Sequence, residues 1–224
     1  SVIAQHQEHL SPILWNLLNG WLKVGAGEVE SGMDTFDQMS QIEGLEIYGQ
    51  YHKGLGLAYL GNFAAAADVL AGYGTGPLHL TRDSIVVHVE VLSELGRGAE
   101  ALEVLDAEIE RGFRDEQLLT LRANLAAGKL PTFTPFDGPV YGMAEAFITL
   151  ADALSRGDPN RTALFYARLA QNLRPDFVDS VLTVAALLEL EEQYHMAGEA
   201  YGLVPEGSVS FKEAEIGRAE ALRA

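Results

Sequence analysis

Two stretches of this chain superimpose when one is shifted by 34 residues along the other. The first stretch runs from Ala144 to Pro175, and the second begins at Val178. The shift pairs Phe147 with Val181, Leu150 with Val184, Ala151 with Ala185, Leu154 with Leu188, Ala163 with Ala197, and Ala167 with Tyr201. A fixed period of this length predicts tandem helix–turn–helix units, each of which buries its apolar face against its neighbours.

The same period extends over most of the chain. We expect helix pairs over approximately 11–41, 47–72, 82–112, 144–175 and 178–205, and a partial unit over 211–224. A defective unit occupies 115–137, where a first helix over 115–127 ends at Gly128 and the segment KLPTFTPFDG follows. Two prolines in that segment predict an extended strap in place of a second helix. The predicted fold is all-α, a single right-handed solenoid of about six helix pairs over 1–224.

Small residues predominate where helices of such a repeat touch most closely, with Val89 as the exception among the eight positions. Gly54, Val89, Ala151 and Ala185 occupy the contact inside each pair, and Ala66, Ala101, Ala163 and Ala197 occupy the contact between pairs. A bulky side chain at these places would overpack the contact, at a cost of about 1–3 kcal/mol. The pattern therefore predicts that these eight positions are buried.

The net charge of −17 restricts the classes of partner. An acidic surface repels nucleic acid and anionic lipid, so we expect neither, and a basic or apolar peptide is the natural partner. The alternative is that the acidic charge serves only to keep the protein soluble. The chain has no cysteine and no apolar run of about 18 residues, and we expect no membrane insertion. The first residues lack the basic lead and apolar core of a signal sequence, and whether a targeting segment lies upstream stays open.

No catalytic or cofactor motif is present. The loop Gly72-Tyr73-Gly74-Thr75-Gly76 lacks the GK[ST] ending of a phosphate-binding loop. His6 and His9 lie beside Glu8 without a second pair of metal ligands. His88 lies in an apolar run and is predicted to be buried. We therefore predict a non-enzymatic protein with no cofactor and no metal.

The chain resembles the tetratricopeptide-repeat family over nearly its whole length. The segments LGLAYLGNFAAAADVL and LSELGRGAEALEVLDAEI and the pair from Ala144 to Pro205 carry the resemblance. Longer phrases such as YHKGLGLAYLGNF resemble a narrower group of repeat proteins from marine alphaproteobacteria. This resemblance implies a bacterial origin, an envelope location and a longer array, and it implies no activity.

Proteins of this family hold a peptide or a partner helix in a concave groove lined by the first helix of each pair. Carried over position by position, the resemblance implies a groove that is aromatic at one end and acidic toward the other. The implied partner-binding residues are Tyr48, Tyr51, Asp83, Val86, Glu90, Glu145, Ile148, Asp152, Asp179 and Leu182. The Lys, Arg and Asn side chains with which the chaperone-binding branch grips a carboxylate are absent from these positions.

Several alternatives stay open at this point. Tyr48 and Tyr51 either anchor a ligand or pack under the preceding unit, and the acidic residues either bind a basic ligand or form a solvated face. Phe133 and Phe136 either fill the gap left by the missing helix or contact a partner. The predicted function is a protein-interaction scaffold. The alternatives are an envelope module that associates with itself and an accessory region of a larger enzyme.

Overall fold

The computed structural model describes residues 11–72, 81–112, 116–133, 138–155 and 161–224. Within these ranges the chain forms twelve α-helices and no strand, which confirms the all-α prediction. The helices are α1 Pro12–Gly25, α2 Val29–Met39, α3 Glu46–Tyr59, α4 Phe63–Leu70, α5 Arg82–Glu94, α6 Gly98–Arg111, α7 Glu116–Ala126, α8 Pro139–Ser155, α9 Arg161–Leu173, α10 Val178–Leu190, α11 Tyr194–Tyr201 and α12 Phe211–Ala221.

The strap interrupts the succession of helix pairs where the sequence predicts it. Gly128 follows α7 with a φ of 73°, the left-handed conformation in which glycine ends helices. Residues 129–133 are neither helix nor strand. The helix α8 then begins at Pro139, five residues before the predicted unit boundary at 144. Proline suits the first turn of a helix, where the backbone N–H has no intrahelical partner.

The chain divides into two compact units, Ser1–Ala146 and Phe147–Ala224, and the division falls within α8. In the first unit each helix packs against the next from α1 to α7, and α3 also contacts both α1 and α5. Its core contains large apolar side chains from successive helices, among them Leu17, Trp21, Phe36, Leu55, Ile85 and Leu105. The helix α3 therefore has α1 and α5 as neighbours in addition to α2 and α4.

The second unit contains the rest of α8 together with α9 to α12. Here α9 packs against α10, α10 against α11, and α11 against α12. Phe147 of α8 lies 5.9 Å, centroid to centroid, from the ring of Tyr166 on α9. Tyr201 at the end of α11 covers Gly217 of α12 so closely that a Cβ there would lie 2.6 Å from its ring.

The small residues predicted at helix contacts are buried, as expected. Ala66, Ala101, Ala163 and Ala197 are all completely inaccessible to solvent. Gly54 of α3 lies against α4, where a Cβ would approach Leu70 Cδ2 to 2.8 Å. The interhelical distances therefore depend on these positions remaining small.

No helix within the described ranges has the length and apolar character needed to cross a lipid bilayer.

Candidate functional site

A segment of the chain itself lies on the surface formed by α1, α3 and α5. The segment is the first part of α8, Pro139–Ala146, called here the α8 start. The surface, called the α1–α3–α5 face, contains Trp21 of α1, Tyr51 of α3, and Thr81 and Asp83 at the beginning of α5. All of these residues belong to the first compact unit.

Trp21 and His52 form the base of this face. Both side chains are completely buried, and the Trp21 indole Nε1–H donates a 2.9 Å hydrogen bond to His52 Nδ1. Burial lowers the pKa of His52 to about 3, so the imidazole is neutral at physiological pH. Because Nδ1 accepts, the proton is on Nε2, which has no hydrogen-bond partner among the described residues. The pair fixes the orientation of the Trp21 ring.

Glu145 of the α8 start is completely buried between two hydroxyl groups of the face. Its Oε1 accepts a 2.7 Å hydrogen bond from the Tyr51 hydroxyl and a 3.1 Å hydrogen bond from Thr81 Oγ1. Burial, followed by the nearby carboxylates of Glu145 and Asp83, raises the pKa of Tyr51 well above its ordinary value. Tyr51 therefore remains a protonated donor, as the carboxylate requires.

Thr81 is positioned by its own helix. It is the N-cap of α5, and its side chain accepts a hydrogen bond from the Ser84 backbone N–H, while the Thr81 backbone N–H donates to Ser84 Oγ. This reciprocal capping box holds the Thr81 hydroxyl at the edge of the face.

The remaining contacts of the α8 start involve its first turn. The Tyr141 hydroxyl donates a hydrogen bond to Asp83 Oδ2. Gly142 lies directly on the Trp21 ring, since a Cβ at this position would be only 1.9 Å from Trp21 Cε2. Pro139 contacts the C-terminal end of α1 at Gly25. The helices α1, α3 and α5 thus each contact a different residue of the α8 start.

The strap before α8 is attached to the same unit. Phe133 is buried, and its ring lies 5.3 Å from that of Phe63 at the start of α4. The Phe133 backbone N–H donates a 2.8 Å hydrogen bond to Glu94 Oε1 at the end of α5. Leu130 lies over Gly98, the first residue of α6. Phe133 therefore packs against α4, while Phe136 lies outside the described residues.

The structure places the predicted partner-binding residues in three settings. Tyr51, Glu145 and Ile148 are buried. Tyr48 and Val86 are half-buried and pack against the core of the first unit. Asp83, Glu90, Asp152, Asp179 and Leu182 are half-buried. Of the whole set, Tyr51, Asp83 and Glu145 come together around the α8 start, whereas Asp152, Asp179 and Leu182 belong to the second unit.

Sequence reasoning missed four contributors to this face: Trp21, His52, Thr81 and Gly142. His52 lies next to Tyr51 in α3, and nothing local to it indicates its hydrogen bond with Trp21 of α1. Sequence reasoning also missed that Glu145 can lie on the same side of α8 as Gly142 and as Tyr141, which precede it by three and four residues.

This arrangement joins the α8 start to α3 and to the N-cap of α5 through side-chain hydrogen bonds. The Tyr51, Glu145 and Thr81 side chains of this group are all buried. Among the described residues no group of three or more His, Asp or Glu side chains is arranged to hold a metal ion. His88 is buried, as predicted. Residues 73–76 of the glycine-rich loop and His6, Glu8 and His9 lie outside the described residues.

Comparison with protein-family models found no match to this chain, and a search of curated proteins found none either.

Proposed function

We propose that the chain is a non-catalytic binding scaffold, a right-handed tetratricopeptide-like solenoid that holds a peptide or protein partner along its first helices. The observation that carries this proposal is the occupied α1–α3–α5 face. Tyr51 and Asp83, at groove positions of the repeat, bind side chains of a helical segment. A surface that already holds one helix by specific side-chain contacts has the chemistry of helix-in-groove recognition.

The solenoid itself is supported by the repeat register and by packing between successive helices. Alanines one repeat apart, such as Ala163 and Ala197, are equally inaccessible to solvent. Helices adjacent in sequence pack against each other from α1 to α7 and from α9 to α12. Such local packing is the arrangement in which a repeat array builds its core.

The second unit offers the groove positions that are accessible to a ligand. Asp152 of α8 and Asp179 and Leu182 of α10 are half-buried and occupy the positions that correspond to groove residues in the first unit. Carboxylates and an apolar side chain at groove positions suit a peptide that combines Lys or Arg with apolar residues. The acidic charge of the whole chain would also accelerate the encounter with a basic ligand.

The test uses the full chain and a random-peptide display library, with enriched peptides measured by fluorescence anisotropy. We expect basic, partly apolar peptides whose affinity falls at least about tenfold in the double variant Asp152→Lys, Asp179→Lys. The matched control carries the same charge change on exposed residues elsewhere in the unit, Glu199→Lys with Glu206→Lys. Equal binding by the two double variants, or no enrichment at all, would refute the proposal.

A second candidate function, self-association, is favoured by exposed apolar side chains in the second unit. Phe165 of α9 is 58% exposed, Met196 of α11 is 44% exposed, and Leu203 beyond α11 is 59% exposed. Exposed aromatic and aliphatic groups on one unit suit an interface between copies. Light scattering over a range of concentrations tests this, with Phe165→Ser expected to weaken any dimer; a strict monomer excludes the candidate.

A further inference from the structure

We propose that the α8 start is a built-in occupant that closes the α1–α3–α5 face, and that the partner for this face is a helix presenting tyrosine, glycine and glutamate with the spacing Tyr-Gly-x-x-Glu. The inference rests on the proposed function in treating first helices as the binding surface. It adds the identity of the ligand and a competition between the chain's own segment and a second molecule.

The glycine requirement follows from the Trp21 ring. At Gly142 a Cβ would lie 1.9 Å from Trp21 Cε2 and 2.2 Å from Cδ2. The ring is completely buried and is held by the hydrogen bond from its Nε1 to the equally buried His52. A helix that lies on this face must therefore bring a residue without a side chain over Trp21.

The glutamate requirement follows from the two hydroxyl donors. Tyr51 and Thr81 both direct their hydroxyl groups at one carboxylate oxygen, that of Glu145. Both donors are buried when the α8 start is in place. An apolar residue at this position would leave two buried hydroxyl groups without their acceptor, a costly arrangement in a low-dielectric site. Glu145 follows Gly142 by three residues, which puts both on the side of the helix that faces the scaffold.

The tyrosine requirement follows from Asp83. The Tyr141 hydroxyl donates to this carboxylate at the beginning of α5. The three contacts involve α1, α3 and α5 together, so a shift of the bound helix by one residue loses all of them at once. The face therefore distinguishes a specific sequence and register from a generic amphipathic helix.

A second helix must compete with the α8 start for the α1–α3–α5 face, because the α8 start is covalently linked to that face. The α8 start is part of the same chain, so its effective concentration at the face is on the order of millimolar. A second helix with the same three residues binds weakly while the α8 start is in place, and binds well once it is displaced. The structure thus represents the closed state of this face.

The experiment uses the full chain and a fluorescein-labelled synthetic peptide with the sequence of residues 138–150, GPVYGMAEAFITL. Two opened variants, Gly142→Leu and Glu145→Lys, are designed to release the α8 start and are checked by circular dichroism. We expect each opened variant to bind the peptide at least about tenfold more tightly than the unmodified chain. A control peptide with leucine in place of its glycine should not bind. Equal affinity of the opened and unmodified chains, or equal binding of the control peptide, would overturn the proposal.

A second measurement needs no substitution and covers the case in which the opened variants fail to fold. Hydrogen exchange of the unmodified chain is followed with and without excess unlabelled peptide. We expect the peptide to accelerate exchange at amides 143–146 while the α3 amides stay protected; unchanged exchange of the α8 start contradicts displacement. Failure of this experiment leaves the proposed function standing, because the Asp152 and Asp179 variants address a different unit.

Discussion

The Tyr51 hydroxyl donates a 2.7 Å hydrogen bond to Oε1 of Glu145, although 94 residues separate the two in the chain. Both side chains are completely buried. Burying a carboxylate is unfavourable unless donors satisfy it, and here Tyr51 and Thr81 both donate to Oε1. The position of the α8 start on the face therefore depends on this pair, and four predictions concern the residues around it and the repeat contacts.

Removing one donor should destabilise the protein. We expect Tyr51→Phe to lower the free energy of unfolding by about 1–3 kcal/mol, because the buried carboxylate of Glu145 loses a partner. Urea unfolding followed by circular dichroism measures the change. The control is Tyr48→Phe on the same helix, which removes a hydroxyl from a half-buried ring. Equal stability of the two variants would show that the hydroxyl at position 51 contributes nothing.

Adding one methyl group at Gly142 should also be destabilising. An alanine usually stabilises a helix relative to glycine by about 1 kcal/mol, but here its Cβ would overlap the Trp21 ring. We expect Gly142→Ala to cost about 1–3 kcal/mol, the range for overpacking. Gly207→Ala is the control, since a Cβ there meets nothing within 4 Å. A Gly142→Ala protein as stable as the control would mean that Trp21 can move.

His52 should make stability depend on pH. The folded protein keeps the imidazole neutral down to a pKa of about 3, whereas the unfolded chain takes up the proton near pH 6.5. Between these values the unfolded state binds more protons, so acidification favours it. The His52 contribution to the free energy of unfolding should fall by about 1.4 kcal/mol per pH unit from pH 6 to pH 4, and it is fully present only above pH 6.5.

The measurement compares urea unfolding of the unmodified chain and of His52→Gln at pH 6, 5 and 4. Glutamine retains an acceptor for the Trp21 N–H but does not titrate, so its curve should decline less steeply. The same substitution at His195, which is exposed on α11, controls for the loss of an imidazole. Parallel curves for His52→Gln and the unmodified chain would be inconsistent with a buried neutral histidine.

The small-residue contacts of the repeat should not tolerate a larger side chain. We expect Ala197→Leu to lower stability by about 1–3 kcal/mol, because Ala197 is completely buried on α11. In calorimetry this corresponds to a fall in Tm of about 2–4 °C for each kcal/mol. Ala186→Leu is the control, since Ala186 is exposed on α10. A leucine accepted at both positions would argue against close contact at Ala197.

The helix positions could be predicted because they depend on local periodicity. The spacing of apolar and small residues determines which side of each helix is buried. The burial of Gly54 and Ala66 at helix contacts could therefore be predicted without knowledge of the tertiary structure. The strap could be predicted as far as residue 133 for a similar reason, because proline and glycine determine the backbone conformation of the residues next to them.

The occupied face could not be predicted, because its contacts join residues far apart in sequence. Tyr51 and Glu145 each satisfied the pattern of a groove residue, and nothing local to either indicates that they bind one another. His52 carried no pattern at all, since its environment is created by Trp21 of another helix. Periodicity identifies the face a residue belongs to, but the partner depends on long-range packing.

The division between the two compact units falls inside α8, which has a consequence for attempts to study them apart. A gene cut at codon 146 would leave one product ending in mid-helix, and the other would lack the turns that precede Phe147. Separate halves would have to overlap, for example as residues 1–155 and 139–224. The seventeen residues of α8 would then be duplicated, once for each half.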